Sequence, residues 1–298
     1  MQFKRIKRIV SLMIIVSLLT ACSNKNDRNQ STKEYYEGYK VTQYNDATGN
    51  QATFYTITTY DGKLIVIDGG WVANETQVRQ VIADNGNVVD AWIITHPHQD
   101  HCGAFNQIYA NLDGITVKQI YDSPIDYNMV VKVGEKWDDI GIFDTYREIT
   151  KDSTNITHLY RGDTFDLLGL NIEVINSYDQ KVVDNSIDLS NDGALILKIS
   201  SANKSILMCS DVKWMEDVIV EQFGDELQCD YIQVAHHGNW AFENAFYDLV
   251  QAKIAFFDAP AWIMTDPVYP AYDLANYMRS QGTTIYDFTT VPNSVYLD

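Results

Sequence analysis

The chain has 298 residues, 46% of them hydrophobic and 12% aromatic, so it can bury a full core, and disorder is not expected beyond its N-terminal stretch. With 22 Lys and Arg against 40 Asp and Glu its net charge is −18, a field that repels polyanions and lacks the basic footprint of a surface that tracks along DNA or RNA. A long nucleic acid is thereby disfavoured as a partner.

The N-terminus places Lys4, Arg5, Lys7 and Arg8 before an apolar run over residues 9–19 that is too short to span a bilayer, which is the layout of a secretory signal. Leu19-Thr20-Ala21-Cys22 resembles the lipobox of bacterial lipoproteins. That resemblance implies cleavage after residue 21, lipidation of Cys22, a polar tether over residues 22–38 and a protein held outside the cell membrane by its lipid. Loss of residues 1–21, with four basic and no acidic side chains, takes the net charge from −18 to −22. Cys22 apart, three cysteines remain, so at least one of Cys102, Cys209 and Cys229 is expected to be unpaired in an exported protein.

One domain is expected over residues 39–298. Strand patterns run over 40–44, 53–60 and 64–67, the last two split by the turn signal Asp61-Gly62. Residues 74–84 predict a helix with Val78, Val81 and Ile82 on one face, and 89–94 a buried strand that runs into Thr95-His96-Pro97. Further strands are expected over 115–121, 170–175, 194–199, 205–209, 230–234 and 254–257. Helices are expected over 138–151, 212–223, 242–250 and 272–280. Strands followed by helices in two similar halves fit an α/β fold, a four-layer αββα sandwich, which periodicity alone does not separate from other α/β folds.

The chemistry is concentrated in Thr95-His96-Pro97-His98-Gln99-Asp100-His101-Cys102-Gly103, with four metal-capable side chains within six residues at a strand-to-helix junction. In an extended segment residues i and i+2 face the same way, so His96 and His98 can close on one ion. Asp100 and His101, where the chain turns into a helix, can reach a second. Imidazole and carboxylate ligands suit zinc first, with manganese or iron as alternatives.

This segment resembles the His-x-His-x-Asp-His signature of the metallo-β-lactamase superfamily, and companion motifs follow in order over most of residues 39–298. The resemblance implies the αββα metallo-β-lactamase fold and a hydrolase with two divalent metal ions, Asp100 and His236 being the candidate catalytic residues. Ile67-Asp68-Gly69-Gly70 then makes Asp68 an orienting group behind the ligands. Asp211, at the end of Ile206-Leu207-Met208-Cys209-Ser210-Asp211, becomes the bridge between metals, although by itself it reads equally as a helix cap. In Val234-Ala235-His236-His237-Gly238-Asn239 the ligand is His237, and His236 is a neighbouring acid–base or supporting group. The metal ligands so implied are His96, His98, Asp100, His101, Asp211 and His237.

One position departs from the pattern. The family often supplies a further His before the bridging Asp, yet no His lies between His158 and His236, and Asn191 stands at roughly that place as a supporting residue. The first ion is then expected to be held more weakly, or to take a water there. His158, earlier in the chain, is expected to be structural.

The Asn-containing motif and the final His-His-Gly most resemble competence proteins of the ComEC type and bacterial surface phosphorylcholine esterases, which implies phosphodiester hydrolysis. Two metals held by these residues would supply an acidified water as the nucleophile, with His236 on the phosphate or leaving group. The expected substrate is a small molecule or a cell-envelope component. An extracellular nuclease, an ester or lactone hydrolase and a non-catalytic binding lipoprotein remain as alternatives. Trp71 and Trp240, close to the motifs in sequence, could form a cage for a cationic head group or simply pack the core. Residues 259–270 read either as a specificity loop or as a connection.

Overall fold

The computed structural model describes residues 38–298. The expected leader, Cys22 and the tether up to residue 37 lie outside the described residues. No helix among the described residues is long and apolar enough to cross a membrane.

Two seven-stranded sheets make the frame. In strand order the first runs Asn293–Leu297, Tyr39–Gln43, Phe54–Thr59, Leu64–Asp68, Ala91–Ile94, Ile120–Asp122 and Ile156–His158. The second runs Thr284–Tyr286, Ile254–Phe256, Tyr231–Gln233, Ser205–Met208, Ile196–Ser200, Leu170–Asn176 and Thr164–Leu167. Each sheet is antiparallel in one half and parallel in the other.

The order of layers follows from strands that are apolar on both faces. In Leu64–Asp68, Ile65 and Ile67 point into the core between the sheets, packed with residues such as Leu197 and Ile206, while Leu64 and Val66 join the core under the helices. Trp92 and Ile94 against Ala91 and Ile93 repeat this alternation. A strand buried on both faces needs a layer on each side, which gives helix, sheet, sheet, helix. The α/β sandwich expected from the sequence is the architecture observed.

Two expected elements are interrupted. The 89–94 and 115–121 stretches each divide, so that Val88–Val89 pairs with Thr116–Val117 in a small separate sheet, while Ala91–Ile94 pairs with Ile120–Asp122 in the large one. Both break where Asp90 turns away to accept from the Leu64 amide and to pair with Lys118 at 2.6 Å. The helix expected over 212–223 begins only at Glu216. The amides of Lys213 and Trp214 donate instead to the Asp192 carboxylate at 2.6 and 2.9 Å, so a tertiary acceptor holds the chain out of the helix. The helices Tyr127–Val133, Gln180–Asn185 and Leu189–Asp192 and the strands Thr164–Leu167, Thr284–Tyr286 and Asn293–Leu297 were not legible as elements. Cys102, Cys209 and Cys229 are all free thiols, the first two buried.

Candidate metal centre

Functional side chains gather where strands of the parallel halves end. Strand Ala91–Ile94 delivers Thr95 and His96, and Pro97 leads the chain away to His98, the extended N-cap of helix Gln99–Ala110. Asp100 and His101 sit in that helix's first turn, where unpaired backbone N–H groups favour a carboxylate. Asp211 follows strand Ser205–Met208, and His236 and His237 follow Tyr231–Gln233.

The backbone is strained at these ends. Asp68, Ser210, His236 and His237 all have positive φ, at 55°, 48°, 48° and 57°. Gly238 continues the turn at φ 88°, and a Cβ there would sit 2.6 Å from the Phe257 ring, so only glycine fits beside His237.

Hydrogen bonds behind the ligands fix which ring nitrogens face inward. The buried Asp68 carboxylate accepts from the Thr95 amide at 2.8 Å and the Thr95 hydroxyl at 2.7 Å, and it lies 2.7 Å from His101 Nδ1. His101 therefore presents Nε2, which lies 3.2 Å from Asp211 Oδ1. His237 Nδ1 faces the Asp258 carbonyl at 3.2 Å, leaving Nε2 3.2 Å from Asp211 Oδ2 and 3.3 Å from Asp100 Oδ2. Ligand atoms of Asp100, His101, Asp211 and His237 all lie within 4.8 Å of one another. His96 adjoins this group, its ring centroid 4.1 Å from that of His101 and 4.6 Å from that of His98. His98 is turned so that Nε2 meets Asp138 Oδ1 at 2.6 Å.

Burial by itself would lower the histidines and raise the acids. For His237 it is outweighed by the Asp211 and Asp100 carboxylates, which push it up to about 10, and for His101 by Asp211 and Asp68, which hold it well above the usual imidazole range. Asp100 is brought to about 2 by the nearby His237 and His101 rings, against its burial. His96, desolvated and beside other imidazoles, falls well below its ordinary value and is neutral. Protons on His101 and His237 thus occupy the place of positive charge between the acids.

Whether this donor set suits a metal is decided by its unmade bonds. His96 Nε2, His101 Nε2, His237 Nε2 and Asp211 Oδ1 are buried yet have no hydrogen-bond partner. Their approaches are close but misdirected for hydrogen bonds, as expected of lone pairs that converge on a shared cation. The residues fit divalent metal.

Over residues 47–118 the chain matches the profile of the metallo-beta-lactamase superfamily. That match spans the segment that carries Asp68, His96, His98, Asp100 and His101. Its sandwich is similar to the metallo-beta-lactamase fold protein YhfI from Bacillus subtilis, with 11% identity and a TM-score of 0.54 over 87% of this chain and 99% of that one. Zn(2+)-bound PqqB from Methylobacterium extorquens gives the same identity and TM-score over 87% of this chain and 100% of that one. CmlA, a diiron beta-hydroxylase from Streptomyces venezuelae, is similar at 14% identity and TM-score 0.52, over 88% of this chain and 55% of its own. These likenesses show the fold. No curated protein matches the sequence.

In this metallo-β-lactamase fold a cavity of about 440 Å³ opens onto the cluster, lined by His98, Asp100, Asn191, Asp211, Lys213 and His236 among others. Four of the six tryptophans, Trp71, Trp137, Trp214 and Trp240, also line it. Asp68, His96, His98, Asp100, His101, Asp211 and His237 are brought together, with Asn191 and His236 at the cavity. Asp211 caps no helix, since the N-cap of the following helix is Met215. His158 stands apart, more than half exposed and paired with Asp122 at 2.6 Å. Residues 259–270 do not line the cavity, and Pro267 and Val268 border a neighbouring pocket beyond Trp240. Asp138, Lys213, Trp137 and Trp214 went unrecognised because nothing in local sequence joins them to the His motifs.

Proposed function

We propose that this chain is an extracytoplasmic metal-dependent hydrolase, a phosphodiesterase acting on a small or cell-surface phosphodiester. The observation that carries the reading is the convergence of unpartnered buried nitrogens and oxygens around Asp211 at the floor of a tryptophan-walled cavity. His96, His98 and Asp211 would hold one ion, and Asp100, His101, His237 and Asp211 the other. Such a pair, when bound, supplies Lewis-acid polarisation of the ester and acidifies water.

The chain's own residues supply the rest. His236 is desolvated, which lowers its pKa, and its Nδ1 contacts the Asn239 carbonyl. In the neutral ring Nδ1–H donates there, so Nε2 is an acceptor, and His236 suits proton removal from the nucleophile better than donation to the leaving group. Lys213 is the one Lys or Arg lining the cavity, paired with Asp188 at 2.6 Å and 5.2 Å from the Trp137 ring centroid. One cation among four indoles suits a single anionic ester with a ring or other apolar substituent, and it disfavours a polynucleotide track. Export and lipid anchorage at Cys22 are inferred from the leader alone.

The test is turnover of bis-p-nitrophenyl phosphate, p-nitrophenyl phosphorylcholine and p-nitrophenyl acetate by metal-loaded protein, with His98→Ala as control. Phosphodiester turnover lost in the variant supports the reading. Turnover of the acetate alone moves the activity to carboxylic esters, and no bound metal with no turnover leaves a binding protein.

A further inference from the structure

On the two-metal reading above, His96, His98 and Asp211 give one ion three protein ligands, whereas Asp100, His101, His237 and Asp211 give the other four. We infer that Asn191 supplies its side-chain carbonyl oxygen as the fourth protein ligand to the His96/His98 ion. Asn191 is 1% exposed and lines the same cavity as His98 and Asp211. Its Oδ1 is buried without a hydrogen-bond partner, a state that buried carbonyl groups rarely keep.

The orientation of the amide is set by its neighbours. Nδ2 donates to Asp188 Oδ2 at 2.8 Å, and the backbone amide of Asn191 reaches Asp188 Oδ1 at 3.3 Å. A flipped amide would aim its carbonyl oxygen at that carboxylate, so Oδ1 must be the free atom. Asp188 is itself anchored by Lys213 Nζ at 2.6 Å and Trp137 Nε1 at 3.1 Å.

The turn that carries Asn191 is fastened on both sides to segments that carry the other ligands. The Asp192 carboxylate accepts from the amides of Lys213 and Trp214, just past Asp211, and the Leu195 amide donates to the Thr95 carbonyl, just before His96. Short chain links therefore hold Asn191 in register with Asp211 and His96. Exchange of an imidazole for an amide oxygen lowers affinity for zinc and makes the site more hospitable to harder ions such as manganese.

Zinc and manganese binding to the full metal-free chain, by calorimetry and elemental analysis, tests the assignment without reference to activity. Two ions per wild-type chain are expected, with Asn191→Ala weakening one of them at least tenfold and leaving the other unchanged. Asn191→His should tighten that same ion for zinc and shift the visible bands of the cobalt-substituted protein, since a nitrogen replaces an oxygen. Folded Asn191→Ala that binds both ions with wild-type affinity overturns the assignment alone. If Asn191→Ala does not fold, an unchanged cobalt spectrum in Asn191→His overturns it equally. A wild-type chain that binds no metal overturns this inference and the two-metal reading together.

Discussion

Asp138 Oδ1 lies 2.6 Å from His98 Nε2, and its other oxygen accepts the Glu135 amide at 2.8 Å, so a residue forty positions downstream sets the rotation of a motif histidine. With Nε2 engaged, His98 can offer only Nδ1 to an ion, while its neighbour His96 offers Nε2. Two histidines separated by one residue thus present different nitrogens. Asp138→Ala should weaken one metal ion by about 10- to 100-fold while the fold persists. Elemental analysis after dialysis against a weak chelator reads this directly, and retention of both ions at wild-type strength would remove Asp138 from the site.

Removal of metal should leave the sandwich intact, because protonated His101 and His237 can pair with the surrounding carboxylates in its absence. Return of an ion at 100 times its Kd should then stabilise the protein by about 2.7 kcal/mol. His237 is pushed up to about 10 and His101 is also raised, so an ion must displace their protons, and affinity should climb as pH increases from 5 to 8. Calorimetry in buffers of differing ionisation enthalpy reports that release. A binding enthalpy independent of buffer would contradict it.

Behind His237 the buried Asp258 carboxylate accepts from Tyr55 at 2.5 Å, Gln43 at 2.7 Å and Thr53 at 3.1 Å, and burial pushes its pKa up. Gln43 Nε2 has the Phe257 carbonyl as a further acceptor, whereas among the described residues no other acceptor is seen for the Tyr55 and Thr53 hydroxyls. Asp258→Ala strands those two donors and should cost about 2–3 kcal/mol in urea unfolding, with Asp258→Asn costing less. A loss below about 1 kcal/mol in Asp258→Ala would show that water takes over the network.

His158 provides a pH effect remote from the metal site. Its hydrogen bond to Asp122 raises its pKa above the ordinary value. Because the folded pKa exceeds the unfolded one, the contribution is complete below about pH 6.5 and is lost as pH rises through the folded pKa. The side chain is 54% exposed, so solvent screening limits the gain to well under about 1 kcal/mol. An NMR titration should place His158 above free imidazole, and Asp122→Asn should abolish the difference. An unshifted His158 in the wild type would mean that the contact is not kept in solution.

Much of the site could be read from the sequence because its ligands come in short motifs at strand ends. His96, His98, Asp100 and His101 fall within one strand-to-helix turn, and Asp68, Asp211 and His237 each close a strand that is apolar on both faces. Alternation and length define those strands, and six residues with four donors define the chemistry. The α/β class followed from the same periodicity, and the αββα order of layers from the resemblance of the motifs.

What the sequence could not give was which groups stand behind and around the ligands. Asp138 reaches His98, Asp258 supports His237, and Asp192 gathers the backbone of residues 213–214 out of the expected helix. Trp137 and Trp214 meet Trp71 and Trp240 at one cavity from distant segments. Such pairings span from 21 to 169 residues of chain and depend on how sheets and loops pack, and no local pattern encodes them. The motifs therefore determined the metal chemistry, and tertiary contacts from outside each motif decided which nitrogen each histidine offers and what surrounds the substrate.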